Sequence, residues 1–162
     1  MVLQCILSFV FGEEGDTHRT LCNYIFGVTT SDALTRTIKH YTGVFRPSFY
    51  AGCIFDLDQA TCTEEDYSIY IRSFPSGHAT IGFCGMTLFT MYLLRTFTSN
   101  KNKDSPMQII FNRFKSILCH SPMIYAFFVA ANRVRLNKHF PADITAGACI
   151  GVLCAIVAFN IW

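Results

Sequence analysis

The sequence predicts an all-α, integral-membrane helical bundle forming one domain over residues 1–162. Three observations carry this. Hydrophobic residues make up 51% of the chain. Charged residues make up only 15%, against about 25% in an ordinary soluble domain. Apolar runs alternate with polar breaks, and several approach the ~20 residues that a helix needs to cross ~30 Å of hydrocarbon. The net charge of +2 is too small to argue for a nucleic-acid partner.

Each element follows in chain order. The first twelve residues are apolar but too short to span, so they read as the tail of a span and the chain as a fragment or shortened protein. Residues 12–19, GEEGDTHR, form a polar break. A helix is expected over about 20–45, carrying Asp32, Arg36 and Lys39. Such a helix cannot face lipid all round, so one side must face a bundle interior or cavity. Arg46-Pro47 is expected to end it, because proline disfavours helix in the residue before it. Residues 47–75 read as a long polar loop with five acidic side chains, Asp56, Asp58, Glu64, Glu65 and Asp66. Spans are expected over 78–97, 117–131 and 144–162, separated by polar segments 98–115 and 132–143.

Counting crossings puts segments 46–78 and 132–143 on one membrane face and 98–115 on the other. Lys101, Lys103, Arg113 and Lys115, flanked by Arg95, mark that second face as cytoplasmic by the positive-inside rule. Residues 12–19 should share it although they are mostly acidic, since Asp and Glu count little in that rule. The first two segments then face the lumen or exterior of a multi-pass protein.

None of the eight cysteines forms a C-x-x-C pair, so a zinc ribbon is unsupported. Most sit in apolar stretches as small hydrophobes. Cys53 and Cys62 lie in the polar loop, where a disulfide would form if the loop faces an oxidising compartment. Gly147 and Gly151 make a GxxxG pattern. It predicts close helix packing, within the bundle or, as the alternative, in a homo-oligomer.

One face collects Lys39, Arg46, Ser76, Gly77, His78, Arg133, His139 and Asp143. Singly, each has an ordinary reading: an interface anchor, a helix cap, or an i,i+4 pair. Together they suit a phosphate monoester, with nearly two negative charges and several acceptor oxygens. Arg46 and Arg133 can engage it bidentately and Lys39 as a point charge. The helix opening at Ser76-Gly77 offers free N–H groups, and Gly77 permits close approach. Neutral His139 could attack phosphorus while Asp143 orients its ring. His78 could protonate the leaving alcohol. This chemistry calls for no metal and no cofactor.

The same residues resemble the three-part signature of the type-2 phosphatidic acid phosphatases. Lys39-HYTGVF-Arg46-Pro47 is similar to K-x6-R-P, Pro75-Ser76-Gly77-His78 to P-S-G-H, and Arg133-VRLNK-His139-FPA-Asp143 to R-x5-H-x3-D. The order and spacing of all three agree. Asn132 stands where the family usually has Ser before the third-motif Arg. The resemblance implies a haloperoxidase-like helical core and a magnesium-independent lipid phosphate phosphatase. It implies phosphate binding by Lys39, Arg46, Ser76, Gly77 and Arg133. It makes His78 the acid, His139 the nucleophile of a phosphohistidine, and Asp143 its orienting partner. The partners it implies are the bilayer and a lipid phosphate such as phosphatidate or diacylglycerol pyrophosphate. The chain looks like spans three to six of a six-span member, plus the end of span two. Vanadium haloperoxidases share the pattern but are soluble. A lipid phosphotransferase would use the same phosphohistidine with another acceptor. A non-catalytic lipid-phosphate binder is the remaining alternative, and the presence of both His78 and His139 argues against it.

Overall fold

The computed structural model describes residues 16–49, 55–56, 61–62, 70–98 and 106–161. Among them are the helices α1 (Asp16–Thr42), α2 (Gly77–Thr98), α3 (Pro106–Cys119), α4 (Ser121–Arg135) and α5 (Pro141–Ile161). Between α1 and α2 in sequence lies a short antiparallel ladder, β1 (Phe55–Asp56) with β2 (Thr61–Cys62). Phe55 pairs with Cys62 and Asp56 with Thr61. The Cys53–Cys62 disulfide expectation rests on side chains outside the described residues.

Helix α2 is the central element, packed against α1, α4 and α5, and α5 also packs on α1. The burial pattern inverts that of a soluble bundle. On α1 the buried residues are Thr20, Asn23, Gly27, Ser31 and Thr35, recurring every three or four positions on one helical face. Its large apolar residues Leu21, Ile25, Phe26 and Leu34 are exposed. Likewise α4 buries Ala126 and Ala130 and exposes Ile124, Phe127 and Phe128. In water such a surface would be an aggregation liability. In a bilayer it is favoured: lipid solvates the large apolar side chains, and small residues let backbones approach. Among the described residues, three segments are long and apolar enough to cross a membrane: Gly77–Phe97, Pro106–Arg135 and Pro141–Ile161. This is a membrane protein.

The glycines of α5 set its distance from α2. A Cβ at Gly147 would come 2.6 Å from the Ser76 carbonyl oxygen, and one at Gly151 would strike the carbonyl oxygen of Thr80. The GxxxG pattern therefore packs α5 onto α2 within the bundle. Thr35 Oγ1 donates to Thr80 Oγ1 at 3.1 Å and joins α1 to α2.

Two boundaries differ from expectation. Helix α1 stops at Thr42, before Arg46-Pro47, because Gly43 takes the left-handed conformation (φ 56°) that ends helices. The polar segment expected over 98–115 is helical from Pro106 onward. There Met107, Ile110, Phe111 and Phe114 recur at helical spacing as an exposed apolar stripe, which outweighs the scattered basic residues. The chain turns at His120, and Pro122 sits in the first turn of α4, where its missing N–H costs nothing.

Candidate active site

The site lies where the ends of α1, α2, α4 and α5 meet. Helix α2 opens immediately after Ser76. The Ser76 N–H donates to the Asp143 carbonyl oxygen at 3.0 Å, so the starts of α2 and α5 are tied by one backbone bond. The first turn of any helix leaves N–H groups without helical partners, and here that turn begins at Gly77-His78.

The third motif owes its spacing to two local devices. Helix α4 closes in a Schellman turn: Asn137 N–H donates to the Val134 carbonyl and Lys138 N–H to that of Arg133. Asn137 occupies the left-handed position (φ 52°), which asparagine tolerates better than most residues. Helix α5 then starts with Pro141 in its first position. The Asp143 carboxylate reaches back and accepts the Phe140 N–H at 2.9 Å, one half of a capping box. His139 falls between the two helices and points at the carboxylate that caps the second.

His139 and Asp143 are both buried, at 3% and 2% exposure. His139 Nδ1 lies 3.5 Å from Asp143 Oδ2. The same Oδ2 accepts the Ser73 hydroxyl at 2.5 Å, and Ser73 Oγ lies 3.4 Å from His139 Nδ1. Two oxygens thus face Nδ1. They favour the tautomer protonated there and leave the Nε2 lone pair free. Burial, reinforced by the positive charges of Lys39 and Arg46, pushes the His139 pKa down to about 4 against the opposing pull of Asp143. The imidazole is therefore neutral at physiological pH.

A cavity of about 730 Å³ opens beside this pair, and its wall includes Lys39, Arg46, Gly77, His78 and His139. Five of the eight sequence-predicted residues thus line one cavity. Asp143 stands behind His139. Ser76 is fully buried at the start of α2, and Arg133 is partly buried close enough to His78 to act on it electrostatically. Among the described residues, Arg46 Nε, Arg133 Nε and Ser76 Oγ are buried polar atoms without a hydrogen-bond partner. Buried polar groups are normally paired. Three unpaired donors on three motif residues suit an acceptor-rich ligand. Burial draws the Arg46 pKa down, with Tyr70 and Asp143 opposing, but a guanidinium keeps its proton throughout.

The first motif is held by the segment before α2. Lys39 Nζ donates to the Arg72 carbonyl at 3.1 Å, Thr42 Oγ1 to that of Phe74 at 3.0 Å, and Arg46 N–H to that of Tyr70 at 2.8 Å. Sequence reasoning missed Ser73, which carries no motif or periodic signal. It also left unassigned the Asp32–Arg36 ion pair (2.6 Å), Arg72 and Tyr125, all on the cavity wall. The charges on α1 were the available signal for that pair.

Against known proteins, the family model of the PAP2 superfamily matches residues 20–162. The chain belongs to the PAP2 superfamily. Lipid phosphate phosphatase 1 of Arabidopsis thaliana is 29% identical, over 90% of this chain and 45% of its own length. A putative phosphatidate phosphatase of Drosophila melanogaster is 28% identical, over 85% of this chain and 39% of its own. A probable diacylglycerol pyrophosphate phosphatase of Schizosaccharomyces pombe is 23% identical, over 88% and 53%. This PAP2 chain spans about half the length of the curated relatives it matches. No solved structure matches it significantly. The helical fold and the membrane character agree with the family.

Proposed function

We propose that this PAP2 chain is a multi-pass lipid phosphate phosphatase acting through a phosphohistidine. One observation carries the reading: a neutral histidine backed by a carboxylate opens onto a cavity that also holds Lys39, Arg46 and His78. The Nε2 lone pair of His139 attacks phosphorus. The P–N bond forms as the P–O bond to the alcohol breaks, and His78 delivers a proton to the departing oxygen. Water then attacks phosphorus, His78 takes its proton back, and the P–N bond breaks. Lys39, Arg46, Arg133 and the start of α2 hold the phosphoryl oxygens and balance their charge. Asp143 holds the ring and stabilises the positive charge that forms on it.

The substrate class is a phosphatidate-like monoester or diacylglycerol pyrophosphate, a reading supported by the relatives' names. Arg95, Lys101 and Lys103, at the end of α2 and between it and α3 in sequence, support a site facing the lumen or exterior.

The test is phosphate release from phosphatidate in mixed detergent micelles with excess EDTA, comparing the parent chain, His139→Ala and His78→Ala. The expected result is release by the parent, none by His139→Ala, and a rate lowered about 100-fold or more by His78→Ala. The parent's pH profile is expected to be bell-shaped, since one histidine acts neutral and the other protonated. Full release by His139→Ala, or none by a monodisperse parent, would sink the reading. Transfer to added alcohol in place of water would redirect it to a phosphotransferase.

A further inference from the structure

Ser73 is fully buried and belongs to none of the three motifs. It nevertheless touches two of them. Its N–H donates to the carbonyl oxygen of Val44, inside the Lys39–Arg46 stretch, at 2.8 Å. Its hydroxyl donates to Asp143 Oδ2 at 2.5 Å and stands 3.4 Å from His139 Nδ1.

The hydroxyl's proton has one destination. An ionised carboxylate only accepts, and 2.5 Å is the length of a charge-assisted O–H···O⁻ bond. With that proton committed to Asp143, the Ser73 oxygen presents its lone pairs to Nδ1. The Nδ1 proton then lies between two acceptors, Ser73 Oγ at 3.4 Å and Asp143 Oδ2 at 3.5 Å. Neither contact is short, so neither alone fixes the ring tightly. Asp143 itself is held by the Ser73 O–H and by the Phe140 N–H at 2.9 Å. Among the described residues, removing the hydroxyl would take away one of two hydrogen-bond donors that anchor the carboxylate and one of two acceptors for the ring proton.

We propose that Ser73 is a positioning residue that completes a Ser73–Asp143–His139 triad and orients His139 toward the cavity. The proposal rests on the phosphohistidine reading above and adds a third member to its relay. The Val44 bond couples the phosphate-binding stretch to that relay through the same residue.

The experiment measures steady-state kcat and KM for phosphatidate in mixed micelles, with Ser73→Ala, Ser73→Cys and Ser73→Thr beside the parent and His139→Ala. Gel filtration and the thermal midpoint in detergent report folding. Ser73→Ala removes the hydroxyl. Ser73→Cys keeps the volume with a weak donor, and Ser73→Thr keeps the hydroxyl. The expected result is a kcat about 10- to 100-fold lower for the Ala and Cys variants, the usual range for a partner behind a catalytic group. Their KM stays within about twofold of the parent, and Ser73→Thr recovers most of kcat, as loss of a purely transition-state interaction requires. Parent-like kcat in both the Ala and Cys variants beside an inactive His139→Ala overturns the proposal and leaves the phosphatase reading standing. A raised KM at unchanged kcat overturns it too, as does loss of folding in all three Ser73 variants. An inactive parent, or an active His139→Ala, removes the phosphatase reading and this proposal with it.

Discussion

His139 is a histidine kept neutral by its surroundings. Burial and the cations Lys39 and Arg46 outweigh Asp143, so its pKa falls from 6.5 to about 4. The consequence for stability has a definite sign. As pH falls below about 6.5, the unfolded chain takes up the proton before the folded one does, so folding loses stability. The loss runs from about 6.5 down to about 4. It reaches about 2 kcal/mol by pH 5, because each pH step of one in that window costs roughly 1.4 kcal/mol. The thermal midpoint of the detergent-solubilised chain is expected to drop between pH 7 and pH 5, and His139→Asn is expected to flatten that drop. An equally steep drop in His139→Asn would assign the acid sensitivity to other groups. Activity should hold through most of that range and fall only as pH drops through about 4, because the folded ring is protonated there and loses the lone pair that attacks phosphorus.

The helices act on the site through their ends. The Schellman turn closing α4 and the capping carboxylate opening α5 place His139 and Asp143 four residues apart across a helix boundary. The α2–α5 packing sets the distance between the start of α2 and that pair. Gly151 is where this packing is tightest, because a Cβ there would strike the backbone of Thr80, which cannot move aside cheaply. Gly151→Ala is therefore expected to destabilise by about 1–3 kcal/mol, the cost of overpacking a filled interface. Gly82, also on a long helix, has nothing within 4 Å of where a Cβ would lie. Gly82→Ala is expected to leave stability unchanged or raise it by up to about 1 kcal/mol, from helix propensity. Thermal midpoints in one detergent measure both, and equal midpoints for the two variants would refute the role given to Gly151.

As a whole, the molecule is arranged for a hydrocarbon solvent, with small and polar residues inside and large apolar residues outside. Phe128, 69% exposed on α4 within the Pro106–Arg135 segment, belongs to that outer surface. An aspartate near the middle of a span costs about 2.5–3.5 kcal/mol of insertion free energy. Phe128→Asp is expected to lower the carbonate-resistant membrane fraction of expressed protein, whereas Phe128→Leu should match the parent. An unchanged fraction for Phe128→Asp would mean that this face of α4 does not meet lipid. The polar stripe on α1 has the complementary place, against α2 and α5 and along the cavity.

The sequence by itself determined the membrane class, the helical character and the residues of the three motifs. Composition and local spacing suffice for these. Apolar runs of span length need no tertiary information, and K-x6-R-P, P-S-G-H and R-x5-H-x3-D are each short enough to read along the chain. The structure then brings five of the motif residues to one cavity, with Asp143 and Ser76 buried behind it. Helix ends were less legible. Arg46-Pro47 was the stronger chemical stop signal, yet Gly43 ends α1, because the backbone must turn there to bring Val44 to Ser73. The partner of the GxxxG pattern was open between α2 and a second chain until the Thr80 and Ser76 carbonyls appeared beside it. Ser73 could be found only in three dimensions. Its hydroxyl bond spans 70 positions of sequence, and a contact of that range follows no helical period and no spacing rule. It exists because the segment before α2 and the start of α5 meet at one buried carboxylate.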